Sequence, residues 1–415
     1  MSREELPTQD FYGLGIAPSL LERLEALGFK HPTPIQFKAI PIATSGEDVV
    51  GIAQTGTGKT LAFSIPLLQQ MSAKGKGGLV LLPTRELATQ VVETLAKLAG
   101  PLGLRTALLI GGANINPQIR QLRAKPHVIV ATPGRLIDLM DQKQVKLDQI
   151  GILILDEADR MLDMGFAPQL KRILTNVPED RQTMLFSATM PEQIASIARQ
   201  YMKKPLRIEV APAGTTAELV DQEVYMVPKD EKIPLLTRLL KEYKGTVLVF
   251  SRTKHGAKKL AQLIRSMGHS SAEMHSNRSQ AQRQEALKGF SSGRYRVMVA
   301  TDIASRGIDV KNIELVLNYD LPDQLEDYVH RIGRTGRAGR SGKAISFAVP
   351  EQKNDIAQIE RLIRATLPVK TSSGELIERK ATQVSERSAS SQRRGGGRPP
   401  QRRAKSWGPR RRQNR

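Results

Sequence analysis

Two short strings carry the residue types of a site that hydrolyses a nucleoside triphosphate. Residues 53–60 read AQTGTGKT, and residues 156–159 read DEAD directly after an apolar run. In the first string, glycines let backbone N–H groups close around phosphate oxygens, the lysine reaches the outer phosphates and the final threonine reaches a metal ion. In the second, one carboxylate holds Mg²⁺ and its neighbour orients the attacking water. Either string alone is typical of an ordinary loop or helix start, but together they predict a phosphate site.

The composition excludes several other kinds of site. The sequence has no cysteine, which excludes disulfides, thiolate metal sites and a cysteine nucleophile, and its six histidines are dispersed without ligand spacing. The first residues are charged and no apolar core follows them, so no signal peptide is visible. No apolar run approaches the length that spans a membrane. We therefore expect a soluble protein of the cytoplasm.

The excess of positive charge predicts a polyanionic partner. The chain has 63 Lys and Arg against 41 Asp and Glu, a formal net charge of +22. Residues 381–415 hold ten Arg, one Lys and one acid, a net charge of +10. This segment has almost no apolar residue to bury, so we expect it to be disordered. It is either a solubilising tail or, the interpretation we favour, a nonspecific RNA tether in which Trp407 stacks on a base.

Strand-like apolar runs alternate with helix-patterned segments, which predicts parallel sheets in an α/β architecture. Most of the chemically active strings directly follow such a run, and ligands of open α/β sheets bind at the carboxyl ends of strands. A short segment at 211–220 separates two halves. The predicted strands are 48–53, 79–83, 106–110, 127–131, 152–155 and 183–186 in the first half, and 223–227, 246–250, 296–300, 314–318 and 344–349 in the second.

The second half has no phosphate cradle of its own, but it has three arginines separated by small residues. Residues 330–337 read HRIGRTGR. One interpretation is a basic surface turn, and the other is that this half delivers arginines to the γ-phosphate held by the first half. An arginine in that position accelerates phosphoryl transfer by roughly 10³–10⁵ in related systems. Hydrolysis would then require the two halves to close on each other.

From residue 11 to about residue 370, these strings resemble the motifs of the DEAD-box family of RNA helicases in order and spacing. The resemblance implies an α/β fold of two tandem RecA-like parallel-sheet lobes joined by a short linker, with a disordered basic C-terminal tail. It also implies ATP and Mg²⁺ as cofactors, and RNA bound by its backbone without sequence preference. The implied domains are a Q-motif region (9–37), an ATP-binding lobe (38–210), a linker (211–220), a C-terminal lobe (221–370) and a basic RNA-binding tail (371–415).

The resemblance also implies roles at the nucleotide. Phe11 and the string GFKHPTPIQ resemble the Q motif, in which Phe29 packs on adenine and Gln36 reads the base edge, since an amide both donates and accepts. Phe11 is implied as a further nucleotide-binding residue. Glu157 is expected to position the attacking water. The other implied catalytic residues are Lys59, Asp156, Arg334 and Arg337, and the implied metal ligands are Thr60 and Asp156. Further nucleotide contacts are implied for Thr55, Gly56, Thr57, Gly58, Lys59, Thr60, Gly307 and Asp309.

Other strings resemble the family's contacts to the RNA backbone. They are rich in arginines, hydroxyls and backbone amides, which suit phosphate and ribose better than base edges. One departure is the HSN at 275–277, where many members have HGD. The implied RNA contacts are Pro83, Thr84, Arg85, Gly111, Gly112, Thr132, Pro133, Gly134, Arg135, Arg252, Arg283, Thr301 and Arg306. Coupling of hydrolysis to strand separation is implied for Asp159, Ser187, Thr189 and His330.

The function that the resemblance implies is an ATP-dependent RNA helicase, an RNA-stimulated ATPase that opens short duplexes or remodels RNA–protein complexes as its lobes close. Two alternatives stay open. One is a DNA translocase on the same motor, against which the Q-motif string argues; the other is a nonenzymatic RNA clamp, against which the intact catalytic set argues. The compact length and basic tail resemble bacterial members. Ribosome assembly, RNA decay and cold adaptation are all compatible settings.

Overall fold

The computed structural model describes residues 10–53, 56–210, 220–305, 310, 313–336 and 342–378. The predicted linker, apart from Val220, and the basic tail from residue 379 onward lie outside these ranges. Five predicted site residues also lie outside them, namely Thr55, Arg306, Gly307, Asp309 and Arg337.

The first lobe is built on a sheet of seven parallel strands with the order β3-β4-β2-β5-β6-β1-β7. Its strands are β1 (Val49–Ile52), β2 (Gly77–Leu81), β3 (Thr106–Leu109), β4 (Val128–Ala131), β5 (Ile150–Leu155), β6 (Gln182–Ser187) and β7 (Leu206–Glu209). Its helices are α1 (Pro18–Ala26), α2 (Pro34–Thr44), α3 (Lys59–Lys74), α4 (Arg85–Ala99), α5 (Ile115–Arg123), α6 (Pro133–Asp141), α7 (Ala158–Asp163), α8 (Ala167–Leu174) and α9 (Glu192–Tyr201).

The second lobe also has seven parallel strands, in the order β10-β11-β9-β12-β13-β8-β14. The strands are β8 (Val220–Met226), β9 (Thr246–Phe250), β10 (Ser271–Met274), β11 (Val297–Ala300), β12 (Ile313–Asn318), β13 (Gly342–Ala348) and β14 (Val369–Thr371). The helices are α10 (Lys232–Glu242), α11 (Lys254–Ser266), α12 (Gln280–Ser291), α13 (Asp302–Ser305), α14 (Glu326–Ile332) and α15 (Lys353–Ile363).

The two sheets have the same topology. Adding seven to each strand number of the first sheet reproduces the order of the second. In both lobes the five central strands are flanked by apolar clusters on both faces, as buried parallel sheets require. The predicted α/β class with two tandem parallel-sheet lobes is therefore confirmed.

All eleven predicted strands are present, and the structure adds three among its described residues. The additions, β7, β10 and β14, are three of the four sheet edges. An edge strand need not be continuously apolar, so its sequence signal is weaker. In β7 only Ile208 is buried, β10 reads SAEM, and β14 has three residues.

The described structure passes the boundary at residue 370 that was predicted for the basic tail. Strand β14 includes Thr371, and the chain then turns back so that Lys370 pairs with Leu376. The Ile377 N–H donates to the Val369 carbonyl at 2.8 Å. The described part of the second lobe therefore continues past residue 370 to residue 378.

Hydroxyl side chains start several helices at the edge where the strands end. Thr84 caps α4 by accepting from the Leu87 N–H at 3.4 Å, and Thr253 caps α11 by accepting from the Gly256 N–H at 3.0 Å. Ser279 forms a capping box with Gln282 at the start of α12. These caps fix the strand-to-helix turns on which many of the predicted site residues lie. No helix of the described ranges is long and apolar enough to cross a membrane.

Strand β1, which leads into the phosphate cradle, depends on a close contact at Gly51. A Cβ added to this glycine would lie 2.6 Å from ring atoms of Phe186 in the neighbouring strand β6. Phe186 is fully buried and also packs on Phe63 of α3, with ring centroids 5.7 Å apart. The ring has no free space into which to move, so only glycine fits here.

We expect Gly51→Ala to lower the free energy of unfolding by about 1–3 kcal/mol, because the added methyl overpacks a dense core. Chemical denaturation of the purified protein measures the change. Gly100→Ala is the control, because a Cβ there has no atom within 4 Å. Equal stability of the Gly51 variant and wild type would contradict the packing argument.

Candidate functional site

The phosphate cradle lies between β1 and the start of α3. Gly56 and Gly58 have φ of 84° and 90°, left-handed backbone that favours glycine. Lys59, the first residue of α3, is buried, and its Nζ donates to the Ala53 carbonyl at 2.9 Å. Thr57 and Thr60 flank this turn. The loop therefore places glycine N–H groups and the Lys59 ammonium at a helix N-terminus, an arrangement suited to phosphate.

Gln36 joins the Q-motif helix to this cradle. Its Oε1 accepts from the Thr33 N–H at 2.9 Å, and its Nε2 donates to the Gly58 carbonyl at 3.0 Å. A Cβ at Gly58 would lie 2.4 Å from Nε2, so the contact also requires glycine. Both ends of the amide are bound to backbone in this structure, and its contact with adenine stays a prediction.

Phe11 and Phe29 line one cavity of about 320 Å³ beside the Q-motif region. Phe11 is buried, whereas 41% of Phe29 is exposed. A volume near 300 Å³ is at the lower end of small-molecule sites, and an adenine ring would fill such a space. Tyr12 also lines the cavity, and its hydroxyl donates to Glu25 Oε1 at 2.5 Å.

Three carboxylates are buried together where β5 ends: Asp156, Glu157 and Asp159. Burial raises the pKa of Asp156 to about 6, although the nearby Lys59 ammonium opposes this. Glu157 has a left-handed φ of 52°, and its N–H donates to Asp156 Oδ1 at 2.9 Å. Burial raises the pKa of Glu157, but Arg160, Lys59 and Arg334 outweigh it and hold that pKa below its usual value.

Sequence reasoning missed Arg160. Its Nη1 donates to Glu157 Oε2 at 2.9 Å, and both side chains are almost completely buried. Glu157 and Arg160 are three positions apart in the sequence, which places both on one face at the start of α7. That spacing was visible in the string DEADR, but the burial that makes the contact important was not. Arg160 thereby fixes the carboxylate expected to position the attacking water.

Asp159 connects the acidic string to the SAT string at the end of β6. Its Oδ2 accepts from the N–H groups of Ala188 and Thr189, at 3.1 and 2.9 Å, and from the Thr189 hydroxyl at 2.9 Å. The Asp159 N–H donates to Ser187 Oγ at 3.2 Å. The structure thus brings together three of the four residues predicted to couple hydrolysis to strand separation.

The fourth, His330, reaches the same region from the second lobe. Burial and the neighbouring Arg160 lower its pKa, against the opposing influence of Asp327 and Asp159. His330 and Arg334 line a small cavity with Arg160. Arg334 is buried and close enough to Glu157 to lower its pKa. Cationic groups of both lobes therefore surround the carboxylates.

Arg331, the first of the three arginines in residues 330–337 and not one of the two assigned to the γ-phosphate, has a structural role. Arg331 is buried and binds Asp302 through two hydrogen bonds, Nε to Oδ1 at 2.5 Å and Nη2 to Oδ2 at 2.7 Å. Its Nη1 also donates to Asn318 Oδ1 and to the Asp320 carbonyl. Arg331 thus holds α14 against the ends of β11 and β12 and orients the segment that carries Arg334.

In the first lobe, the predicted RNA contacts lie at the starts of α4 and α6 and in the turn after β3. The guanidinium of Arg85 covers Gly112, where a Cβ would overlap it. Arg135 Nη2 donates to the Ala113 carbonyl at 3.3 Å. The remaining predicted contacts adjoin these three positions along the chain: Pro83, Thr84, Gly111, Thr132, Pro133 and Gly134.

Arg283 of α12 joins these first-lobe arginines from the second lobe. Its Nη2 pairs with Glu86 Oε2 at 3.0 Å, and both side chains are buried. Burial, Arg283 and Arg135 together lower the pKa of Arg85, with Glu86 opposing them. Arg283 thus pairs with Glu86, and Arg85 lies close enough to Arg283, Arg135 and Glu86 for their charges to affect it. Glu86 was not predicted, because its partner lies in the other half of the sequence.

Arg252 and Thr301, at the ends of β9 and β11, line a cavity of about 390 Å³. Asp163 and Met164 of the first lobe also line it, so it lies between the lobes. The Arg252 side chain pairs with Asp323, with Nε 3.2 Å from Oδ1. The Arg252 backbone N–H donates to Asp320 Oδ2 at 3.1 Å.

Comparison with known proteins decides the family. The DEAD/DEAH box helicase family model matches residues 33–197, and the helicase conserved C-terminal domain matches residues 231–339. This chain belongs to the DEAD-box family. It is 43% identical over 354 residues to the DEAD-box ATP-dependent RNA helicase CshA of Bacillus cereus, covering 85% of this chain and 67% of that protein. It is 40% identical over 368 residues to the ATP-dependent rRNA helicase RRP3 of Debaryomyces hansenii, covering 88% and 77%.

Solved structures extend the similarity to the arrangement of the whole two-lobed body. S. cerevisiae Dbp5 bound to RNA and ADP BeF3 has a TM-score of 0.78 at 33% identity, covering 88% of this chain and 96% of that one. Mss116p bound to ssRNA and AMP-PNP has a TM-score of 0.80 at 25% identity, covering 89% and 81%. A DEAD box protein from Methanococcus jannaschii has a TM-score of 0.51 at 38% identity, covering 87% and 98%. The DEAD-box protein described here is an ATP-dependent RNA helicase with RNA-stimulated ATPase activity.

We expect Arg160→Ala to lower kcat for RNA-stimulated ATP hydrolysis by about 10²-fold, because a misplaced Glu157 no longer aligns the water. The KM for ATP should change little, and Arg160→Lys should recover part of kcat. Steady-state kinetics measure both constants. Because breaking a buried ion pair costs about 3–5 kcal/mol, each variant is assayed at a temperature where denaturation curves show it folded. An increase in KM at unchanged kcat would contradict this role.

Proposed function

We propose that this helicase hydrolyses ATP in a reaction centre divided between its two lobes. The observation that carries the proposal is the buried Glu157, whose carboxylate is balanced by Lys59 and Arg160 of the first lobe and by Arg334 of the second. ATP bound in the cradle would take Lys59 and Arg334, with Arg337, as partners for the charge that develops on the γ-phosphate. Glu157 would orient the attacking water.

The residues at the cradle fit Mg²⁺ held jointly by protein and phosphates. Mg²⁺ prefers oxygen ligands and commonly keeps one or two carboxylates together with substrate phosphates and waters. Asp156 and Thr60 supply one carboxylate and one hydroxyl, and within the described ranges no three His, Asp or Glu side chains are arranged so that they alone could hold a metal ion. Asp156 and Thr60 would hold the ion, which would supply positive charge to offset that of the phosphates. The adenine would lie between Phe11 and Phe29, with Gln36 at its edge. The residues around the phosphates would be Thr55, Gly56, Thr57 and Gly58.

Closure of the lobes would link hydrolysis to RNA. The TM-score is higher with Dbp5 and Mss116p, both bound to RNA and a nucleotide, than with the more identical M. jannaschii protein. Because these proteins share the fold of each lobe, the difference supports a similar arrangement of the two lobes in this chain. A change at the nucleotide would reach the RNA surface through the hydrogen bonds that Asp159 makes with Ser187 and Thr189. His330 lies beside this network.

RNA would lie across both lobes and be read by its backbone. Arg85, Arg135 and Arg283 converge from two lobes, and Arg252 and Thr301 continue the surface on the second. Charged and hydroxyl groups of this kind position phosphates without reading sequence. Local opening of short duplexes or remodelling of RNA–protein complexes follows if one strand fits this surface better than the duplex does.

Arg334→Ala tests the divided centre. We expect it to lower kcat for RNA-stimulated hydrolysis by about 10³-fold or more, because the second lobe then supplies one arginine fewer to the γ-phosphate. Equilibrium binding of RNA and of ATP should change little. Arg361→Ala, an exposed arginine of α15 in the same lobe, is the matched control. Near-normal hydrolysis by the Arg334 variant would remove the second lobe from the reaction.

Residues 381–415, outside the described ranges, are proposed to tether RNA through ten arginines, Lys405 and Trp407. Deleting this segment should weaken RNA binding and flatten its dependence on salt, because fewer counterions are released. The kcat at saturating RNA should stay at the wild-type value. Titrations at several salt concentrations measure the slope, and a truncated protein with the wild-type slope would exclude the tether.

The cellular setting is proposed from the relatives alone. CshA proteins of Bacillus and the basic tail support a bacterial protein of the cytoplasm. The name of RRP3, an rRNA helicase, makes ribosomal assemblies one candidate partner. RNA-decay assemblies are the other candidate and are compatible with the same residues. RNA crosslinking in cells, followed by sequencing, separates the two.

A further inference from the structure

Most of the net positive charge of residues 1–380 lies on one edge of the second lobe. Residues 1–380 carry a net charge of +12, the chain's +22 less the +10 of residues 381–415. Residues 252–296 alone hold ten Lys and Arg against two acids, a net of +8. This segment forms α11, the edge strand β10 and α12. The excess is therefore concentrated in space as well as in sequence.

The outer face of α11 carries four exposed cations, and three of them form no salt bridge with the described residues. Lys254, Lys258 and Lys259 are exposed, and within the described part of the chain no acid forms a salt bridge with them. Arg265, also exposed, lies 3.9 Å from the buried Glu273, which also pairs with Arg278. We call Lys254, Lys258, Lys259 and Arg265 the α11 edge.

This charge pattern is unfavourable for the helix alone. Lys254 and Lys258 are four residues apart, where like charges repel each other. The first turn contains Lys254 and His255 and no acid, although the helix dipole favours negative charge at this end. A polyanion along the face would relieve both effects. The pattern is thus better suited to binding than to stabilising α11.

The α11 edge is continuous with the RNA surface between the lobes. Lys254 lines the same cavity as Arg252 and Thr301. From there α11 runs back from the carboxyl end of β9, so its later residues lie farther from the cleft. Lys254 and Arg265 are separated by about 16 Å along the helix axis, given a rise of about 1.5 Å per residue. A basic strip therefore leads outward from the groove.

The strip offers contacts for a backbone and none for bases. The large apolar side chains exposed among the described residues are Tyr12, Phe29, Leu206 and Leu376, and none belongs to residues 252–296. Single-strand binding commonly adds base stacking on aromatic rings, whereas double-stranded RNA is recognised through phosphates and 2′-hydroxyls. We infer that the α11 edge binds the phosphate backbone of an RNA duplex that flanks the strand held between the lobes. The inference rests on the proposed RNA surface.

The test compares two RNA probes on the full chain. One is a short single strand that occupies the groove alone, and the other is the same strand extended by a hairpin duplex. The variant is Lys258→Gln with Lys259→Gln; Lys254 is kept because it lines the cleft cavity. The matched control is Lys171→Gln with Lys241→Gln, which removes two exposed helix lysines elsewhere. Affinities are measured over a range of salt concentrations, together with stimulation of ATP hydrolysis.

We expect the variant to bind the hairpin probe about tenfold more weakly at low salt, with a salt slope reduced by about one to two. Its affinity for the short strand, and the hydrolysis that this strand stimulates, should equal those of wild type and of the control. Equal losses on both probes, or no loss on either, would overturn the inference. Two results together would support the α11 edge but overturn the proposed function. They are a loss of affinity confined to the hairpin probe and ATP hydrolysis that neither RNA stimulates.

Discussion

The structure depends on a balance of buried charge where β5 ends. Folding buries Asp156, Glu157 and Asp159 together, and removing their charges from water costs free energy unless cations compensate for them. Lys59 and Arg160 supply part of this compensation within the first lobe, and the second lobe supplies the remainder. The proposed catalytic groups would therefore not belong to one lobe alone. Their ionisation and position would depend on how closely the other lobe approaches, which would tie the chemistry to the conformation.

The shared topology of the two lobes shows how one scaffold serves two roles. Lys59 begins the helix after β1 and Asp156 follows β5; in the second lobe Lys232 begins α10 after β8 and Asp320 follows β12. Lys232 Nζ binds Asp320 Oδ1 at 3.0 Å and the Tyr319 carbonyl at 2.7 Å. The corresponding charges are thus neutralised internally in the second lobe. The Asp320 carboxylate instead orients the segment that carries Arg252.

The sequence was sufficient to predict features that depend on local, repeated patterns of residues. It was insufficient to predict contacts between segments that are distant in the chain. Interior strands were identified because burial on both faces makes them continuously apolar, whereas β7, β10 and β14 were missed because edges need not be apolar. Among the described residues, the motif strings at 83–85, 132–135, 156–159 and 187–189 do lie at or just after the ends of strands. Arg160 and Glu86 were missed, since neither charge stands out in a polar string. Their importance comes from burial beside Glu157 and from a partner, Arg283, in the other lobe.

The RNA surface and the ATP site obey the same electrostatic rule. Arg85, Arg135 and Arg283 converge from two lobes near the buried Glu86, and the charges of Arg283 and Arg135 lower the pKa of Arg85 beyond the effect of burial. A phosphate backbone in this position would supply the missing negative charge, just as a triphosphate would between Lys59 and the arginines of the second lobe. Each anion therefore favours the arrangement in which the lobes are close, and each thereby favours binding of the other. Such reciprocity is what thermodynamic linkage requires of two ligands that stabilise one conformation.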